Sequence, residues 1–556
     1  MLVYKRKLNL IKMKFFNKIL VCAGLIACVT SCKKNALDEN PPAILTADNL
    51  FVDYNGFQNA INGLYYQVRR YRAGITTADP SNDMTSEVTV EGVDNSYSNY
   101  PGSPGTVYNN WGAANNAAFI QYSQLWAYFY QTINAANTII GRVPLNTTMT
   151  GDQKNQTLAE ARLIRAWCYR HLTFLFGDVP LTLTETTGAN FKTDFSRAKV
   201  ADVQAAMEAD WLFAEANLPV TNTNDGKVIK GTAQHYLAEL YLTQGNFTKA
   251  KDYATRVTTN TAYALINNRY GANAKNPGTA FTDMFLDGNS DRSQGNTEAL
   301  WVLQNELNVT GGEGNNIMRR YWVNRYYSLT VKGTDGKSAS PFLPSADFGG
   351  RGIGRIGPTK WALSIYDPTD DRGSDYAWRF SYTINNPAGI PKGYTLGQVV
   401  PVDRTSNEKL SNPNWPSTRK WDYTSPLDVN NSSSYNDQIL IRAGEDYLFL
   451  AEADLGLGDL AGAATAINAL RTRAHAPLIT ASQITLDFIL DERSRELFSE
   501  EDRRYTLLRT KTWLTRTKLH NVISGNLIQP RDQLLPIPQS VIDANISAVL
   551  PQNPGY

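Results

Sequence analysis

The sequence predicts a mainly α-helical fold, and three observations carry that reading. Apolar residues recur at helical spacing from 119 to 257. Two segments, 237–257 and 447–470, hold small residues at the offsets of closely packed antiparallel helix pairs. Helical spacing then returns over 484–516. The chain has 556 residues, 42% hydrophobic and 19% charged, which excludes a collagen, a long disordered chain and a polytopic membrane protein.

Residues 1–31 hold Lys5, Arg6, Lys7, Lys12, Lys14 and Lys18 and no acidic residue, followed by an apolar run from Ile19 to Val29. That run is too short to span a bilayer, which takes about 20 residues, and reads as a secretory signal. Val29-Thr30-Ser31-Cys32 resembles a bacterial lipobox, which implies lipidation of Cys32 and cleavage before it. The formal charge of +2 includes six positive charges in the signal, so residues 32–556 carry −4. That balance disfavours nucleic acid as a partner. Cys168 is then the one free thiol, and no internal disulfide is expected.

Residues 32–46 are polar and contain Pro41-Pro42, as a tether between lipid and fold would. The folded domain is expected over 47–556, with a helical half (47–260), a loop-rich lobe (261–435) and a C-terminal helical part with a tail (436–556). Asp48 or Asn49 can cap a first helix with Phe57, Ile61, Leu64, Tyr65 and Val68 on one face. Residues 74–118 lose periodicity and read as a long loop. Helical stripes follow through Trp126–Ile140, Leu158–Leu175 (ended by Gly177) and Val203–Leu218 (stopped by Pro219). The first helix pair breaks at Gly245-Asn246. The glycine-rich runs 311–316 and 348–357 read as turns, since neither shows the strand, helix and Lys of a phosphate loop. The tail 526–556 is irregular, but apolar enough to pack on the body.

Several motifs in order resemble the SusD/RagB family of nutrient-binding lipoproteins. They include Gly63-Leu64-Tyr65; Trp126 to Asn137; Glu160-Ala161 with Arg165-Ala166, Tyr169 and Leu172; and Phe176-Gly177-Asp178-Val179-Pro180-Leu181. Ala451-Glu452-Ala453, Asn468 to Ala474, Glu492-Arg493 with Glu496-Leu497, Glu500 and Arg503, and the ends Leu535 to Pro538 and Gln552 to Tyr556 complete the set. Thr506-Leu507 departs from the family's Asp-Leu. The resemblance implies a SusD-like fold with tetratricopeptide-like helix pairs as scaffold. It also implies lipid anchoring at the outer membrane, an oligosaccharide or polysaccharide ligand, and a SusC-like TonB-dependent β-barrel transporter as partner. It implies no catalytic activity, and no cofactor or metal is expected.

A glycan site needs exposed aromatic rings with polar neighbours, because sugar rings stack their C–H faces on them. Trp126, Trp167, Trp211 and Trp301 lie in periodic runs and read as core, and Trp513 falls on a helix. Trp111 and Trp322 fall in irregular regions where the family draws its binding aromatics, followed by Tyr321 and Trp361. Asp83 and Arg320 are the candidates for hydroxyl recognition. A surface glycoside hydrolase and a peptide-binding member of the family are the alternatives. The hydrolase would need two carboxylates facing across a bond. Glu492, Glu496 and Glu500 read instead as an ion network, Asp367 to Asp375 as a solvated turn, and Cys168 as core.

Overall fold

The computed structural model describes residues 47–72, 87–99, 105–112, 115–307, 309, 317–404, 413–431 and 434–556. The chain divides into two units, 1–52 and 53–556. In the first, the one described element is a short helix, Ala47–Leu50. The signal, Cys32 and the whole of the tether lie outside the described residues.

The second unit begins with α1 (Tyr54–Arg69). Its cap is Asp53, not Asp48 or Asn49. The Asp53 carboxylate accepts the Gly56 N–H at 2.9 Å, one turn before the apolar stripe reaches the core at Phe57. The stripes from 119 to 257 become α2 (Ile120–Arg142), α3 (Gly151–Phe176), α4 (Val200–Asn217), α5 (Lys230–Thr243) and α6 (Phe247–Thr258). Thr150 and Gln153 form a capping box at the start of α3. Gly177 ends it at φ 73°, where a side chain would also meet Leu534.

The second expected pair is α7 (Gly444–Leu457) and α8 (Leu460–Arg473). Helices α3 to α8 each pack on the next in order, even though 185 residues separate α6 from α7. The ring of Phe247 lies on Gly456, so α6 and α7 approach across a position that tolerates no Cβ. The loop-rich lobe is therefore inserted into a continuous stack of helices. The final helical stretch is broken into α9 (Leu486–Leu497), α10 (Arg503–Arg509) and α11 (Trp513–His520). In the tail, Leu535, Ile537 and Leu550 are buried against the body.

Residues 74–118 were expected to form a loop. Their described parts instead carry buried short elements, including the helical turn Glu87–Val90 and a strand, β1 (Ser96–Ser98). Polar side chains are held here by partners far along the chain. Asp94 receives Arg503 at 2.6 Å and Arg516 at 2.9 Å, and the Asn521 amide donates to the Val93 carbonyl. Burial pushes the Asp94 carboxyl up, but the two guanidinium groups prevail and hold it at about 2.

Among its described residues the lobe contains only short strands. Strand β2 (Ala299–Leu303) pairs antiparallel with β4 (Gln438–Arg442), which runs directly into α7, and β3 (Ile356–Pro358) pairs with β1. The β2–β4 ladder brings Glu298 to Arg442 at 3.1 Å. From there a buried ion network spreads. Arg442 also reaches Glu496 at 2.6 Å and Glu500 at 2.7 Å. Arg473 bridges Glu298 and Glu496, and Arg372 joins Glu492, Glu496 and Asp370. Glu492 and Glu496 are wholly closed to solvent. Burial alone would raise the Glu496 carboxyl, but Arg473, Arg442 and Arg372 hold it well below the usual range. Position 444 must be glycine, because a Cβ there would lie against the Arg442 guanidinium and 3.1 Å from Glu298. Glu496→Gln is expected to lower stability by about 3 kcal/mol or more, since it leaves guanidinium charge buried without its partner. A fall in the urea midpoint at pH 7 reads this out.

His171, on α3, contacts the Tyr505 hydroxyl at 2.9 Å and stacks on Phe129. Burial lowers its imidazole to about 3. The unfolded chain takes up this proton first, near pH 6.5, so the contribution to stability is full above that value and drains away as pH falls toward 3. His171→Phe is expected to flatten the stability–pH curve between pH 6.5 and 3, measured by urea titration.

Candidate functional site

Ten of the eleven tryptophans are buried. This corrects three expected ligand contacts. Trp111 has φ 45° and packs edge-on against Trp513 at 5.5 Å, with the Arg504 guanidinium over both rings. Trp322 packs on Phe498, and Tyr321 is buried beside it in one apolar cluster with Trp378 and Trp421. The Tyr321 hydroxyl accepts a hydrogen bond from Arg355. All three rings build the core: Tyr321 and Trp322 end a short buried helix, Met318–Trp322, and Trp111 directly follows the helix Gly105–Asn110. Trp415 and Trp378 likewise donate their indole N–H to backbone carbonyls, of Pro358 and Arg372.

Arg320 is half-buried, and its carbonyl accepts the N–H groups of Ile353 and Gly354 at 3.1 Å each. Asp83 lies outside the described residues. Trp361 is the tryptophan with an accessible surface. It stacks on His520 with ring centroids 4.1 Å apart and planes 23° apart, and the Arg516 guanidinium lies 5.1 Å from its ring. Burial and Arg516 lower the His520 imidazole, which keeps it neutral as a stacking partner at pH 7. Leu519 and Val522 stand exposed on the same C-terminal segment.

A cleft of about 420 Å³ opens between α1, the turn at 224–227 and the end of β2. Its walls carry Tyr66, Asn62, Arg69, Asn224 and Gln304, with the rim of Trp301 behind. Tyr66 is 45% exposed, and Arg69 holds its guanidinium over that ring while donating to the Gln304 carbonyl at 2.8 Å. Tyr65 is tied down by its hydroxyl bond to Glu160 and its edge contact with Trp301. Beneath the cleft, the Gln304 amide donates to Asp291, and burial together with Asp291 pushes the Asp437 carboxyl up to about 8. An exposed ring among amide groups, in a cavity of this size, suits a small polar ligand with apolar faces.

The sequence reading missed this cleft, although a signal existed. Tyr66 falls off the apolar stripe of α1 set by Phe57, Ile61, Leu64 and Val68, so its ring had to face outward. A second groove, about 590 Å³ and mostly apolar, lies between α2, the segment 180–195 and the tail, with Phe191 exposed at its edge.

Three of the carboxylates singled out between Asp367 and Asp375 are paired. Asp370 holds Arg372, Asp367 holds Arg471 and Asp371 contacts His475. The Cys168 thiol is buried, which raises it well above its ordinary value. Thr506, the departure from the family pattern, donates its hydroxyl to Glu501 at 2.9 Å, so a hydrogen bond stands there.

Residues 344–556 match the SusD family model, and residues 64–242 match the model described as starch-binding, associating with the outer membrane. The chain belongs to the SusD-like family. SusD-like protein P2 of Formosa agariphila is 26% identical over 541 residues, covering 94% of this chain and 96% of the relative. Among solved structures, a laminarin-binding SusD-like protein superposes with a TM-score of 0.68 at 21% identity, over 90% of this chain and 99% of that one. The NanU protein of B. fragilis gives a TM-score of 0.69 at 20% identity, over 93% and 99%. These likenesses confirm the mainly helical, SusD-like fold.

The burial pattern makes a distinction that fluorescence can read. Iodide is expected to quench only a small part of the native tryptophan emission, and Trp361→Phe should remove most of that part. Trp322→Ala should instead cost about 3–5 kcal/mol of stability as a core truncation.

Proposed function

We propose that this SusD-like chain is a cell-surface, glycan-binding lipoprotein that captures oligosaccharides or polysaccharides and has no catalytic role. The observation that carries the reading is the cleft at Tyr66. An open tyrosine ring stands beside Asn62, Asn224, Arg69 and Gln304, which supplies both a stacking surface and hydrogen-bonding groups. Trp361 offers a second ring on the same folded unit. One structural relative is laminarin-binding and one matching family is described as starch-binding, which supports a carbohydrate ligand.

The delivery step belongs to the same proposal. A SusC-like TonB-dependent β-barrel is the expected receiver, and Cys32 the expected lipid anchor at the outer membrane. The basic, apolar and Cys-ended leader supports the anchor, because several acyl chains on one residue hold a protein firmly to a membrane.

Calorimetry against a panel of neutral and charged polysaccharides tests the binding role. Tyr66→Ala and Trp361→Ala are each expected to weaken binding by about tenfold, in line with loss of an aromatic stacking contact, with little change in thermal stability. If no polysaccharide binds while peptides do, the carbohydrate reading fails. New reducing ends after long incubation would show a hydrolase instead. Cys32→Ala is expected to move the protein from the membrane fraction to the soluble fraction and to abolish co-purification with a barrel.

A further inference from the structure

We propose that the loop-rich lobe recognises saccharides bearing anionic groups, carboxylate or sulfate, at the Arg325–Tyr327–Arg351 face; the inference rests on the carbohydrate-binding reading and names its ligand class.

The first support is the distribution of charge. Residues 317–404 hold twelve Lys and Arg against seven Asp and no Glu, a net +5 inside a mature chain of net −4. Much of that positive charge is already neutralised. Arg372 is spent on Asp370, Glu492 and Glu496, Arg379 on Asp422, and Arg319 on Asp428. Arg325 and Arg351 are different. Their guanidinium carbons lie 5.9 Å and 5.6 Å from the centroid of one ring, that of Tyr327. Among the described residues, neither guanidinium has a carboxylate or carbonyl acceptor. Arg325 is exposed and Arg351 half-exposed. The Tyr327 hydroxyl beneath them is also without a hydrogen-bond partner among the described residues. Two like charges held near one ring repel each other, and a bound anion lowers that cost.

The fold arranges this meeting. The segment carrying Arg351 lies flat on the one carrying Arg325, since a Cβ at Gly352 would collide with the Val323 carbonyl and lie 2.7 Å from that of Asn324. The Tyr326 hydroxyl donates to the Gly350 carbonyl at 3.0 Å, and the Arg351 N–H donates to the Val429 carbonyl at 2.8 Å. Arg351 is thus fixed beside Arg325 by backbone that must contain glycine. Guanidinium groups match the paired oxygens of carboxylate and sulfate, and the net negative charge elsewhere reaches only about 8 Å through physiological salt. The patch therefore acts locally, on a group brought into contact with it.

The test is affinity electrophoresis and calorimetry on the full mature chain, with polygalacturonate for carboxylate, ι-carrageenan for sulfate, and laminarin and pullulan as neutral glucans. At least one acidic polysaccharide is expected to bind more tightly than the neutral ones, and whichever binds identifies the anionic group. Arg325→Gln with Arg351→Gln should lower that affinity about tenfold or more and reduce its salt dependence, while Arg325→Lys with Arg351→Lys should retain part of it. Lys332→Gln with Lys337→Gln removes the same charge from an exposed hairpin of the lobe and should leave binding within about twofold if recognition is local. An equal loss in that hairpin variant would overturn the site. Neutral glucans binding as well as acidic ones, with no effect of the arginine pair, would overturn the inference and leave the carbohydrate reading standing. Failure of all four polysaccharides would remove both.

Discussion

The fold depends on a buried carboxylate, Glu496, which three arginines from three parts of the chain must reach at once. Arg372 comes from the loop-rich lobe, Arg442 from the end of β4 and Arg473 from the end of α8. None of these charges could be removed from water alone. Together, with Glu298, Glu492, Glu500 and Asp370, they form a network in which each guanidinium has more than one acceptor. The network lies where the inserted lobe returns to the helical stack. It links β2, within the lobe, and β4, just after it, to α9. A lobe made of two-stranded ribbons and single helical turns has little regular backbone bonding of its own. Its attachment to the scaffold supplies the order that its secondary structure does not.

That arrangement explains which parts of the fold were legible in the sequence. The helices α1 to α8 were readable because their apolar residues repeat locally, and their ends are marked by local residues such as Thr150, Gly177, Asn246 and Gly458. The lobe and the residues 87–112 were not readable. Their core positions are polar or aromatic residues satisfied by partners hundreds of positions away, as Asp94 is by Arg503 and Arg516. A segment rich in Asn, Ser and Tyr looks like surface loop until those partners are known.

The same constraint misplaced the candidate rings. Trp111, Trp322 and Tyr321 lie in stretches without helical periodicity in the sequence, and such stretches are usually exposed. Here they are buried, because Trp111 packs edge-on against Trp513 with the Arg504 guanidinium over both rings, and because Trp322 shares a cluster with Phe498 from just beyond α9. The aromatic residues that remain open are those off a stripe, such as Tyr66 on α1, or at an element's outer edge, such as Trp361. An aromatic on the polar face of a well-defined helix was therefore a better pointer than an aromatic in a loop.

A core built this way also shapes how ligand contacts can be distributed. Among the described residues most guanidinium groups are paired with carboxylates, and inside the network removing one acceptor is costly. Those at the Tyr327 ring are not committed, so their charge remains available to a ligand. The difference follows from position. Arg372, Arg442 and Arg473 meet acidic residues of α9, which presents Glu492 and Glu496 on one buried face. Arg325 and Arg351 stand in a stretch of lobe with no Glu at all, held together by Gly352 and the Tyr326–Gly350 bond. The scaffold thus consumes its positive charge where it must hold the lobe and leaves it free on the lobe's outer side, where a bound chain could approach.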